Sequence, residues 1–275
     1  MTGRQLRRHG LGVVGLLLTS LTVVAALAAP WLSPHNPIAS DFAAGLEPPG
    51  TPGHPLGTDQ LGRDLLARVL YGARIALFIG FCTVLLTALV GGLLGLLAGF
   101  YGGWSGTVLM RIADVQLSFP FILLALTINA IVGLGLRNII VSLSAAGWVV
   151  YARVVRGEAL SVKQREYVQA AAALGMGRAR MLFGHVLPNV APSIIVVASL
   201  QFSQFIVAEA AISFLGFGVQ PPTPAWGSML SESRDFLYVA WWLAAFPGAA
   251  LALTALGINL VGDWLRDVLD PKLRV

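Results

Sequence analysis

The strongest constraint on this chain is the length of its uncharged stretches. Formal charges are absent from 9–40, 75–110, 115–136, 181–208, 210–231 and 236–262. A helix needs about 20 apolar residues, rising ~1.5 Å each, to cross a hydrocarbon core of about 30 Å. Most of these stretches are long enough. Charged residues make up only 11% of the 275, against about 25% in a soluble globular chain, too few to clothe a solvated surface. The chain therefore reads as an integral membrane protein. Disorder, a disulfide scaffold and a typical cytosolic enzyme are excluded. The single cysteine, Cys82, lies in an apolar run and cannot form an internal disulfide. The net charge of +5 does not signal nucleic acid, because the bases fall between apolar runs and make no basic soluble face.

The pattern predicts an all-α, polytopic fold with six transmembrane helices. The first runs from Leu11 to Leu32 behind Arg4, Arg7 and Arg8. A cleaved signal peptide, with Ala26-Leu27-Ala28-Ala29 as the small-residue site, is the rival reading, but the run is long for such a segment and the signal anchor is preferred. The second lies within Ile75–Phe100, where Gly91, Gly95 and Gly99 recur on one helix face, a pattern that either invites close approach of another helix or reflects the general abundance of glycine in membrane helices. The third spans about Val108–Val132, with Arg111 and Asp114 spaced to pair at i,i+3. The others run over Ile139–Val155, about Pro188–Leu215 and about Leu237–Val261. With both termini on one side, that face receives thirteen of the eighteen bases, which predicts cytoplasmic termini. The expected division is a cytoplasmic N-terminus over 1–10, a first membrane helix over 11–33 and an extracytoplasmic segment over 34–74. A core of five membrane helices over 75–262 follows, containing a cytoplasmic loop over 156–187, and then a cytoplasmic C-terminus over 263–275.

The inner polar segment has the punctuation of a short helix. Ser161 and Gln164 have the spacing of a capping box, four alanines occupy 170–173, and Gly175 can supply a left-handed stop. Pro188 suits the start of the next helix. On these grounds alone the segment is either a rigid helix–turn–helix or an ordinary connection. Glu209 stands alone between long apolar stretches, where a packing or helix-orienting role is preferred over contact with a transported substrate.

Gln169-Ala170-Ala171, then Gly175, then nine residues and His185-Val186-Leu187-Pro188 resembles the coupling loop of ABC importer permeases. That family's pattern is Glu-Ala-Ala, three residues, Gly, nine residues, Ile-x-Leu-Pro; here Gln169 replaces the Glu and His185 the Ile. The run His54-Pro55-Leu56-Gly57-Thr58-Asp59-Gln60-Leu61-Gly62-Arg63-Asp64 with Tyr71-Gly72-Ala73-Arg74 resembles the dipeptide, oligopeptide and nickel permeases, in the subunit called the C component. So do Ser213-Phe214-Leu215-Gly216-Phe217-Gly218, Pro224-Ala225-Trp226-Gly227 and the ending Asn259 to Asp267 with Asp270-Pro271.

The resemblance implies an ABC type I importer permease fold and a translocation pathway for dipeptides or oligopeptides, nickel chelates or glutathione. It implies contact with ATPases through the helix at 161–175, with Glu166, Gln169, Ala170, Ala171, Gly175, Leu187 and Pro188 as coupling residues. The implied partners are a homologous second permease subunit, two ATP-binding cassette subunits and an extracytoplasmic solute-binding protein, in membrane lipid. The outer segment 34–74 and the loop 216–236 are either docking surfaces for that binding protein or simply compact turns built by their prolines and glycines. No Gly-x-x-x-x-Gly-Lys-[Ser/Thr] loop is present, so ATP belongs on partner subunits and this chain is expected to bind no cofactor and to be no enzyme. The histidines His9, His35, His54 and His185 make no ligand pair at i,i+4 spacing, and no metal site is expected. The competing class is an ion-coupled secondary transporter, which would show inverted repeats and intramembrane ionisable groups.

Overall fold

A computed structural model describes residues 3–269, with residues 3–9 described by backbone alone. The helices are α1 (Gly3–Leu27), α2 (Ala29–Leu32), α3 (Leu65–Phe100), α4 (Gly103–Leu117), α5 (Phe121–Val132), α6 (Leu136–Lys163), α7 (Glu166–Ala173), α8 (Arg178–Met181), α9 (Leu187–Phe214), α10 (Trp226–Glu232) and α11 (Trp242–Leu269). Among the described residues, five helical stretches are long and apolar enough to cross a membrane: Gly10–Leu27, α3, α6, Arg178–Phe214 and α11. The pair α4 and α5 meets the same criterion only when taken together, and is bent by 94° at its break. The six expected spans are present if this broken pair is taken as one.

The third span is thus corrected from one helix to two. Pro120 causes the break: it lacks an N–H, and its ring disfavours a helical Phe119 before it. The bent pair is held to the bundle by side chains. Gln116 donates to the carbonyls of Ala145 and Ala146 at 3.0 and 2.8 Å and accepts from Trp148 Nε1 at 3.0 Å. Asn129 donates to the carbonyl of Phe217 and accepts from Ser142 at 3.2 Å. Asp114 pairs with Arg153 on α6, so the expected pairing with Arg111 is also corrected: the partner comes from a neighbouring helix.

Helix α3 begins at Leu65, before the apolar run itself. Asp64 caps it, accepting from the N–H of Ala67 at 2.7 Å. Its 36 residues reach about 54 Å, well beyond a ~30 Å core. The most extensive helix pairing is α3 with α6, and the glycine stripe explains it. A methyl group at Gly91 would strike the carbonyl of Trp148, at Gly95 that of Ala152, and at Gly99 that of Arg156. The backbones meet because those methyls are missing. Helix α1 packs on α11 similarly, with Gly12 under Trp264 and Gly257 under Leu18.

Three buried clusters follow the bundle axis. One holds Leu65, Trp226, Met229, Trp242 and Leu243; a middle one holds Ile79, Ile139, Leu143 and Ile212; a third holds Phe100, Val155, Val162, Val168, Leu182 and Val186. The expected Asp270-Pro271 ending and the bases Lys272 and Arg274 lie outside the described residues, as do the side chains of Arg4, Arg7, Arg8 and His9.

Candidate functional site: the α7 turn and the cap at the opposite end

The capping box expected at Ser161 is not formed. Ser161 lies in the last turn of α6, and Gln164 is the residue that closes that helix. The short helix is α7, Glu166–Ala173, narrower than the expected 161–175. The apolar inward face of α6, including Val155, Ala159 and Val162, carries that helix past the position where the local signal would start a new one. Glu166 sits in the first turn of α7, where a carboxylate complements the positive end of the helix dipole.

Helix α7 ends as expected. Gly175 has φ of +79°. The N–H of Gly175 bonds the carbonyl of Ala172, and that of Met176 bonds the carbonyl of Ala171, both at 3.0 Å. These two bonds are the Schellman pattern, which needs a residue that tolerates the left-handed region. Gly177, by contrast, has φ of −61° before α8, so no steric rule requires glycine there.

The faces of α7 are distinct. Val168 and Ala171, three residues apart, are buried, and Val168 packs in the cluster of Phe100, Val162, Met181, Leu182 and Val186. Glu166, Gln169 and Ala170 are exposed, as are Gly175 and Pro188, and Leu187 is half-buried. Gln169 Nε2 donates to the carbonyl of Gln164 at 3.2 Å, closing the turn between α6 and α7. An ionised Glu at this position could not donate that bond. Tyr167 meets His185 edge to face with ring centroids 6.2 Å apart, and Asn189 Nδ2 donates to the carbonyl of His185 at 2.7 Å. Lys163 Nζ donates to the carbonyl of Phe100 at 2.8 Å, joining the ends of α6 and α3.

The connection to α9 has no break. Pro188 lies in the first turn of α9, as expected, but α9 is not a fresh start: Arg178–Phe214 is one helical stretch. Residues Leu182–Val186 form a π turn directly before Leu187 and Pro188. A π turn inside a helix absorbs the hydrogen bond that a proline cannot donate. The seven expected coupling residues therefore lie in one structural unit, α7 through the start of α9. Sequence reasoning missed three exposed apolar side chains of this unit: Tyr167, Phe183 and, at 89% exposure, Leu174. Their signal was weak, because an isolated apolar residue beside alanines resembles core. Behind and beside α7 lies a cavity of about 520 Å³, open to the surface and lined by Phe100, Lys163, Val168, Gln169, Ala172 and Arg178.

At the other end of the bundle, the motif of 54–64 folds into a compact cap. Arg63 Nε bonds Asp59 at 2.6 Å, and Arg68 Nε lies 3.3 Å from the same carboxylate oxygen. Both arginines also reach Glu232 at the end of α10, at 2.9 and 3.2 Å. Trp226 Nε1 donates to the carbonyl of Val69 at 3.0 Å, and Trp242 Nε1 to that of Thr58 at 3.2 Å. The separated motifs 54–74 and 224–227 are thus two halves of one lock. Glu209 is 1% exposed and accepts from Ser213 Oγ at 2.6 Å. Ser213 Oγ in turn accepts from the N–H of Val219 at 3.1 Å, so the carboxyl orients the loop that leads to the cap.

A family model described as "binding-protein-dependent transport system inner membrane component" matches residues 91–275. A second, "N-terminal TM domain of oligopeptide transport permease C", matches residues 1–49. A putative peptide transport system permease protein of Brucella abortus is 42% identical over 275 residues, covering 100% of this chain and 92% of that one. A di/tripeptide transport system permease protein of Pseudomonas aeruginosa is 45% identical over 274 residues, covering 97% and 90%. A glutathione transport system permease protein of Pectobacterium atrosepticum is 42% identical over 272 residues, covering 98% and 90%. With its bundle of apolar helices and matches that together run from one end of the sequence to the other, the chain belongs to the family of binding-protein-dependent transport system inner membrane components.

Proposed function

We propose that this chain is the membrane-spanning permease of an ATP-driven peptide importer of the inner membrane, with di- and tripeptides as the class of cargo. The similarity to permeases named for peptide transport supports the cargo class. The observation that carries the mechanism is the two-faced α7. Its inner face carries the buried Val168 and Ala171, with Val168 seated on α8 and the π turn, while Tyr167, Leu174 and Phe183 are exposed apolar side chains. Exposed apolar groups beside a helix at the end of the bundle mark a contact surface, and in this reading the contact is a protein.

In this reading the outward face of α7 enters a groove on a cytoplasmic ATPase subunit, one of two that hydrolyse ATP. Glu166, Gln169 and Ala170 face that subunit, and Ala171, Gly175, Leu187 and Pro188 hold the turn that passes its displacement to α9. The continuous stretch Arg178–Phe214 supports rigid transmission, and the cavity behind α7 leaves room for movement. ATP binding must favour one of two packed arrangements for this contact to couple hydrolysis to transport. The chain itself holds no cofactor in this scheme. A homologous second permease completes the pathway, and a solute-binding protein delivers cargo to the outer cap. The termini lie in the cytoplasm, as the distribution of bases favours. An ion-coupled mechanism gains no support from Glu209, whose carboxyl is occupied by Ser213.

Purification of the tagged chain from its native membrane tests this assembly. Co-isolation of two ATPase subunits and a second permease, with peptide-stimulated hydrolysis, is the expected result. A chain isolated alone that still moves substrate on an ion gradient would overturn it.

A further inference from the structure

The outer cap contains a donor set that no part of the transport reading uses. His35 lies in the loop after α2, His54 in the turn of the cap, and Asp64 at the start of α3. Asp64 Oδ2 is 2.9 Å from His54 Nδ1 and 3.8 Å from His35 Nδ1. The two imidazole rings have centroids 4.9 Å apart, and one donor atom from each of the three residues lies within 4.8 Å of the others. In a tetrahedral zinc site, bonds of about 2.0–2.2 Å place neighbouring donors roughly 3.3 Å apart. The two distances to the carboxylate bracket that value.

We propose that His35, His54 and Asp64 form a binding site for a divalent cation of the zinc class, bound by two imidazoles and one carboxylate. Two imidazoles with a carboxylate suit zinc, nickel or copper(II) and disfavour magnesium or calcium, which take oxygen sets. Asp64 divides its work between its oxygens. Oδ1 caps α3 through the N–H of Ala67, while Oδ2 faces both histidines, so an ion can be taken without uncapping the helix. The proton that His54 Nδ1 shares with Asp64 leaves to water when the ion takes its place.

Behind the donors, Ser33 Oγ donates to Asp64 Oδ1 at 3.5 Å and accepts from the N–H of His35 at 3.4 Å. This second layer fixes the loop that carries His35 against the carboxylate, as outer partners do in metal sites. The side chains are 41% exposed at His35, 19% at His54 and 2% at Asp64. The site thus has a buried anchor and an open side for entry and a water ligand. The sequence concealed it because the two histidines are 19 positions apart, and only the folded cap brings them to one carboxylate. A bound ion would tie the segment following α1 and α2 to the start of α3.

The test is a titration of the intact, chelator-treated transporter complex with zinc chloride. Bound zinc is counted by equilibrium dialysis with elemental analysis, and the thermal midpoint is followed in parallel. Two variants are compared with the wild type. His35→Gln removes a half-exposed donor that caps no helix; His54→Gln keeps an N–H able to bond Asp64. The expected result is one zinc more per chain in the wild type than in either variant. Apparent affinity at that site should fall at least about tenfold in the variants, and a zinc-dependent rise in midpoint should be confined to the wild type. Equal zinc binding by the wild type and either folded variant, or no zinc on the wild type, overturns the proposal.

Discussion

Alanine substitutions in α3 should have opposite signs within a single turn. At Gly95 a new Cβ would lie 2.8 Å from the Cα and 2.9 Å from the carbonyl carbon of Ala152, where carbon contacts settle at about 3.5–4.0 Å. The shortfall is roughly 0.7 Å against backbone atoms that have no rotamer to change, so α3 and α6 must separate. Overpacking of this kind costs about 1–3 kcal/mol, and the gain from replacing glycine in a helix returns up to about 1 kcal/mol. With the full gain counted, the net loss is about 0–2 kcal/mol. Gly91 faces the same penalty, with Tyr151 Cβ at 2.9 Å and the carbonyl carbon of Trp148 at 3.0 Å. At Gly92, one residue on, the nearest atom is Ile194 Cδ1 at 3.7 Å, an ordinary contact, so Gly92→Ala should stabilise by up to about 1 kcal/mol. Equilibrium unfolding of the purified chain in mixed detergent, followed by tryptophan fluorescence, measures all three. If Gly92→Ala is destabilised as much as Gly91→Ala and Gly95→Ala, the close-approach account of the α3–α6 seam is wrong.

Two further outcomes follow from the buried polar groups. Glu232→Gln leaves Arg63 and Arg68 with one shared carboxylate, Asp59, instead of two. The cap should lose roughly 2–3 kcal/mol, at or below the low end for breaking a buried pair because Glu232 is partly exposed, and hydrogen exchange at the start of α3 should accelerate while α7 is unaffected. Glu209→Gln retains an acceptor for Ser213 Oγ, so peptide preference should be unchanged, whereas Glu209→Leu should lower complex recovery; a changed peptide preference in Glu209→Gln would assign the carboxyl to cargo contact instead.

The membrane character and the helix seam were legible because both are properties of composition and period. Uncharged runs locate the spans, and Gly91, Gly95 and Gly99 mark a single face. The 94° break between α4 and α5 was written only in Pro120, which a hydropathy window averages away. Ser161 and Gln164 misled because capping signals are local, whereas the end of α6 is set by what its inner face packs against. Gly175 was readable since its left-handed stop depends only on neighbouring residues. The cap network was not: Asp59 and Arg63 are four residues apart, but Glu232, which completes the network, is 169 residues beyond Arg63. Likewise, the alanines of α7 were visible in sequence, while its exposed apolar rim, from Tyr167 through Leu174 to Phe183, required the folded turn.

The role of α7 as the coupling element is the central claim, and Ala170 tests it most directly because its side chain is exposed while Ala171 beside it is buried. Ala170→Trp obstructs the outer face without disturbing the inner seat. In proteoliposomes containing the complete transporter, the measurement is peptide imported per ATP hydrolysed, with thermal stability of the chain checked alongside. The account predicts that this ratio falls at least about tenfold, equivalent to roughly 1.4 kcal/mol of lost coupling, while the permease stays inserted and as stable as the wild type. An unchanged ratio in the stable variant would contradict it.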